Sequence, residues 1–171
     1  MTSRLAFVGR FLTLFPLLIL AGWLTNAPAR YAGALRIAGT ATSPLANGWT
    51  LEQRDESAGR QELWFRRGND QLRFGISLDA LALGLLPLLA LLGATPGLRP
   101  AALAARAALG VGGLFLLDLL TVLAYPWLVG SPGAVTDIAG TFLGLLTFVG
   151  GPVILWFVLT YRELRGIWRL G

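Results

Sequence analysis

Residues 107–129 read AALGVGGLFLLDLLTVLAYPWLV, an apolar run interrupted by one charged side chain, Asp118. At about 1.5 Å of rise per residue, such a run is long enough to cross a hydrocarbon core of roughly 30 Å. The stretch therefore reads as a membrane-spanning helix with an acid inside it. Three further windows qualify on either side: about Leu5 to Leu24, carrying Arg10, then Leu78 to about Ala94, and Ile138 to Tyr161. The expected fold is an α-helical membrane protein of four transmembrane helices. Whole-chain composition points the same way, with 55% apolar residues, 13% charged and a mean hydropathy of +0.66 over 171 residues.

The 14 basic residues are all arginine, 9 acids leave a formal net charge of +5, and lysine, histidine and cysteine are absent. Those absences remove disulfides, thiolate nucleophiles, imidazole bases and zinc sites of the Cys/His type. Arginine placement sets the expected orientation. With both termini cytoplasmic, Arg4, Arg10, Arg99, Arg106, Arg162, Arg165 and Arg169 collect on one side, and the loop from Gly130 to Asp137 has no basic residue. Trp23, Tyr125 and Trp127 then fall at the outer interface, and Trp156, Tyr161 and Trp168 toward the inner one. This is the topology of a multi-pass protein of a bacterial inner membrane. The inner arginines are assigned to anionic lipid head groups, and no nucleic-acid partner is expected. The N-terminus also fits a secretory leader cleaved after Ala29, because Arg4 and Arg10 precede an apolar run and the small-residue stretch Asn26-Ala27-Pro28-Ala29.

Residues 25–77 form a separate compositional zone with seven arginines and five acids, which divides the chain into a first transmembrane helix (1–24), an extracytoplasmic β module (25–77) and a three-helix transmembrane region with a short cytoplasmic tail (78–171). Leu63 and Phe65 alternate with Glu62, Trp64 and Arg66. Leu72, Phe74 and Ile76 alternate with Arg73 and Gly75, and Gly68-Asn69-Asp70 lies between, which predicts a β-hairpin. Thr50 to Gln53, after Asn47-Gly48, reads as a third strand, and Tyr31 to Ile37 as a continuation of the first helix along the membrane surface. About 50 residues without a disulfide bury little core, so the module is expected to lean on the bilayer or on another protein. Trp49 and Trp64 are the candidate partner contacts, unless both rings fill the module's own core.

Asp118 is the one acid deep in a predicted span, where it needs a partner or a wet cavity. Arg10, at a depth differing by roughly 9 Å on rise-per-residue arithmetic, is the candidate partner in an intramembrane charge pair. A protonated Asp118 bonded to a backbone carbonyl is the alternative. Asp79 and Asp137 fall at the outer edge, so no facing carboxylate pair arises. No lysine or histidine base stands beside Ser43, Ser57, Ser77 or Ser131. Glu52, Asp55 and Glu56 leave room for a hard cation, but Arg54 and Arg60 neutralise the cluster, which reads as a solvated turn. No catalytic, cofactor-binding or metal residues are therefore expected. Ala104, Ala108 and Gly112 make a small-residue stripe, and Gly140 and Gly144 a GxxxG match, which suits close helix packing within the chain or with a partner. Pro16, Pro87 and Pro152 are expected to kink their helices. Asp79, after Ser77, is the expected cap of the second helix.

An N-terminal span, an outer β module ending in Phe74-Gly75-Ile76-Ser77-Leu78, the segment LLPLLALLGATPG at 85–97, an arginine-bearing turn and two more spans together resemble the exosortase H-associated membrane proteins. The resemblance implies a non-catalytic accessory protein beside a larger sortase-like transpeptidase, helping to sort or process surface proteins at their C-terminal anchors. A histidine of that family's pattern is missing near Asp118. A reading of a different class is a structural subunit of an energy-converting or transport complex, held through its glycine faces.

Overall fold

The computed structural model describes residues 2–42, 49–55, 61–67, 70–129 and 134–168. The chain is mostly helical, with α1 (Thr2–Thr25) and α2 (Ala27–Thr42), then strands β1 (Trp49–Asp55), β2 (Gln61–Arg67) and β3 (Asp70–Ser77). It continues through α3 (Leu78–Ala82), α4 (Leu85–Ala94), α5 (Pro100–Val129), α6 (Ala134–Leu145), a π-helical turn (Leu146–Gly150) and α7 (Gly151–Trp168). Among the described residues, two helices are long and apolar enough to cross a membrane: Arg4–Thr25 and Pro100–Pro126. The 30 residues of α5 rise about 45 Å, longer than a hydrocarbon core.

The other two expected spans are not single α-helices. The segment from Leu78 to Ala94 breaks between α3 and α4, where the N–H groups of Leu83 and Gly84 turn back to the carbonyls of Ala80 and Leu81 at 3.1 and 3.2 Å. Pro87 explains the position: its ring would clash with the carbonyl of Leu83 in a continuous helix, whereas in the first turn of α4 its missing N–H costs nothing. The fourth segment contains the π turn, closed by the N–H of Gly151 on the carbonyl of Leu146. Pro152 follows at once and removes one donor from that turn. Pro16 lies within an uninterrupted α1.

The described sheet is a meander of order β1-β2-β3, antiparallel throughout, with Leu51 opposite Phe65 and Phe65 opposite Phe74. It matches the expected hairpin and third strand, with a register shift between Phe65 and Arg67. Residues 68 and 69 of the expected turn lie outside the described residues, as do Asn47, Gly48 and residues 130–133.

The helix expected over residues 31–37 is present as α2, set off from α1 by one residue. Asn26 adopts φ 53°, a left-handed conformation that asparagine tolerates, and ends α1 there. α2 then buries Tyr31, Ala32, Leu35 and Gly39, a spacing that forms one helix face. That face joins Phe65, Leu78, Leu81, Leu88, Leu114 and Val122 in one core. Ser77 caps α3, accepting from the N–H of Ala80 at 3.3 Å, and the side chain of Asp79, the expected cap, lies outside those described.

Candidate functional site

The buried face of α5 carries Leu114, Asp118, Thr121 and Tyr125 at three- and four-residue spacing. Asp118 is completely enclosed, and one of its oxygens, Oδ2, accepts a 2.6 Å hydrogen bond from the Tyr31 hydroxyl of α2. The Tyr31 ring meets Phe115 edge-on at 5.7 Å. Two turns further along α5, Tyr125 receives Phe65 of β2, fully buried, with ring centroids 6.2 Å apart. One helix face thus holds both α2 and the sheet.

Asp118 is buried, as an acid on the inner face of an apolar helix is expected to be, but its partner is Tyr31 and not Arg10. Arg10 is exposed on α1. A Cβ at Gly93 of α4 would lie 3.2 Å from Leu14, and one at Gly110 of α5 would lie 3.4 Å from Leu92. Arg10 stands four residues to one side of that common level and Asp118 eight to the other, so about 18 Å of helix rise separates them. Two side chains cannot bridge that gap. An ion pair is seen instead between Arg106 and Glu163, just beyond the expected spans 107–129 and 138–161, a two-pronged contact at 2.7 Å for each arm that joins α5 to α7. The Arg106 guanidinium holds the Glu163 carboxyl below its ordinary value. Nearby, Trp156 donates its indole N–H to Thr95 at 2.9 Å and stacks on Phe7 at 5.5 Å, so α1, the end of α4 and α7 are tied together.

The small-residue positions separate into two faces. Ala104, Ala108 and Gly112 are all exposed on the outer side of α5. The glycines that admit close packing are instead Gly110, against Leu159, Leu88 and Leu92, and Gly113, where a Cβ would lie 3.0 Å from Leu155. Gly144 is half-buried in α6, and of Gly140 only its place in that helix is described. Trp64 is half-buried, its indole N–H enclosed without an acceptor, and Trp49 opens β1. Glu52 and Asp55 lie on β1, and Glu56 lies outside the described residues. Among the described residues no three His, Cys, Asp or Glu side chains gather as a metal centre.

Thr121 and Thr147 were not singled out by sequence reading. Thr121 follows Asp118 by one turn on α5, Thr147 lies in the π turn, and their hydroxyl oxygens are 2.9 Å apart and buried. Their signal in the sequence is slight, since threonine satisfies itself on its own helix and is common in apolar helices. Both do so here, on the carbonyls of Leu117 and Leu143. No family model, curated protein or solved structure matches this chain.

Proposed function

We propose that this chain is a non-catalytic accessory or assembly protein of a bacterial inner membrane, docking on a larger integral membrane protein. In this reading the four apolar segments span the bilayer: α1, α3 with α4, α5, and α6 with the π turn and α7. Both termini face the cytoplasm and the sheet faces outward. The observation that carries the reading is the seat of Phe65 on Tyr125, which fastens the sheet to the long apolar helix instead of leaving it on a tether. A sheet fixed to a span is a platform with a defined orientation, suited to meeting the outer face of a partner. Trp64, next to Phe65 and so on the opposite face of the strand, is the contact residue, and Trp49, the other candidate, stands opposite Arg67 at the start of β1. The resemblance at residues 85–97 supports an exosortase-like transpeptidase as that partner.

A second reading, a structural subunit of an energy-converting or transport complex, draws on the exposed Ala104, Ala108 and Gly112 face, which is smooth enough for a neighbouring helix. Mild-detergent purification of the tagged protein, with and without residues 50–76, separates the two. The accessory reading expects a transpeptidase to co-purify and its processing to fail in the deletion while binding persists. Co-purification of a respiratory or transport complex, lost on Ala108→Phe and indifferent to the deletion, supports the second reading and contradicts the first.

A further inference from the structure

Two helix interruptions meet inside the bundle. A Cβ at Gly84, in the break between α3 and α4, would lie 3.2 Å from Pro152 and 3.6 Å from Leu114, so that break touches both the end of the π turn and α5. Asp118 is one turn along α5 from Leu114. Its oxygen Oδ1 is enclosed and has no hydrogen-bond partner, while Oδ2 is served by Tyr31. On the same face, Thr121 reaches the π turn through Thr147. Side chains three residues apart on a helix have Cβ atoms about 5–6 Å apart, so one ion can touch both Asp118 and the hydroxyl pair. Helices interrupted within a bilayer supply unspent backbone carbonyls, and in transporters such carbonyls coordinate small cations.

A carboxylate in this setting needs a positive charge, and among the described residues no arginine is seen at its free oxygen Oδ1. Arg106 is committed to Glu163 and stands twelve residues, about 18 Å, along α5, and Arg10 is equally far. The occupant is small, because Asp118, Thr121 and Thr147 are at most 5% exposed. It is singly charged, because one carboxylate balances one charge. It is hard, because every donor is oxygen. We propose that Asp118 Oδ1, the Thr121 and Thr147 hydroxyls and a carbonyl of the π turn form a binding site for one dehydrated monovalent cation of sodium type. This site is independent of the docking reading and stands or falls without it.

The test is thermal unfolding of the full-length protein in detergent, in NaCl and in N-methylglucamine chloride of equal ionic strength. Sodium at ten times its dissociation constant is expected to raise Tm by about 3–6 °C, with the rise abolished in Asp118→Asn and reduced in Thr147→Val. Equal Tm of the unsubstituted protein in the two salts overturns the site, as it would if a proton occupied the carboxyl. An undiminished sodium response in Asp118→Asn overturns it too. Should Asp118→Asn not fold, equilibrium binding of radioactive sodium to the unsubstituted protein decides: one ion per chain supports the site, and none contradicts it.

Discussion

α1 and α5 are almost indistinguishable by hydropathy, at 2.0 and 2.1 over their best windows, yet 6% of the α1 window is buried and 28% of the α5 window. α1 is a peripheral helix whose large side chains, Leu12 and Trp23 among them, face outward. α5 is the helix on which α2, the sheet and α7 converge. Each carries an ionisable residue within its apolar run, and the environments are opposite. Arg10 lies exposed toward the end where α4 stops, and Asp118 lies enclosed against Tyr31. Hydropathy reports what a helix can cross; burial reports what it organises.

The largest test of that contrast is a pair of truncations. Leu114→Ala in α5 removes a fully buried side chain and is expected to cost about 2–5 kcal/mol, whereas Leu12→Ala on α1, 65% exposed, should stay within about 0.5 kcal/mol. Reversible unfolding in mixed micelles measures both, and similar losses would break the comparison. Next in size is overpacking at the contact between α5 and α7. A Cβ at Gly151 would lie 2.6 Å from Leu117, so Gly151→Ala is expected to cost about 1–3 kcal/mol, against no loss of stability for Gly112→Ala on the open face.

The charged residues sharpen the same contrast. Asp118→Ala leaves the buried Tyr31 hydroxyl without its acceptor, which is expected to cost about 1–3 kcal/mol. Arg10→Ala should be near neutral in micelles. Tyr31→Phe in the Asp118→Ala background should then cost little further, a coupling that a double-mutant cycle detects. The smallest effect belongs to Glu163. Its carboxyl is held below its ordinary value of 4.5 by Arg106, so its contribution is fully present above about pH 4.5 and is lost as pH falls through the lower folded-state value. Unfolding midpoints should therefore decline more steeply in acid for the unsubstituted protein than for Glu163→Gln.

Much of the fold was legible because it is written in local periodicity. Alternation marked the strands of residues 61–77, the apolar runs located α1 and α5, and of the three prolines expected to kink their helices Pro87 and Pro152 stand at interruptions while Pro16 does not. The acid at 118 was legible as a buried group because its cost in an apolar helix demands shelter. Its partner was not, because Tyr31 lies 87 positions away in a helix set off from α1 at Asn26, and no local pattern encodes which helix it meets. Spacing alone also left open whether the small-residue stripe of α5 packs within the chain or against a partner. Every face of α5 is apolar, so Ala104, Ala108 and Gly112 looked as suited to the interior as Gly110 and Gly113. The Arg106 and Glu163 pair was missed for the same reason as Tyr31, since 57 residues separate its members.

The central claim is that the four apolar segments span a membrane with the sheet outside, and the absence of native cysteine makes it directly measurable. Single cysteines at Ser3, Ser57, Leu98, Ser131 and Gly171 can each be probed in whole spheroplasts with a membrane-impermeant maleimide. The account predicts labelling of Ser57→Cys and Ser131→Cys in intact spheroplasts, and of Ser3→Cys, Leu98→Cys and Gly171→Cys only after permeabilisation. Labelling of Leu98→Cys in intact spheroplasts, or protection of Ser131→Cys until they are opened, would contradict it.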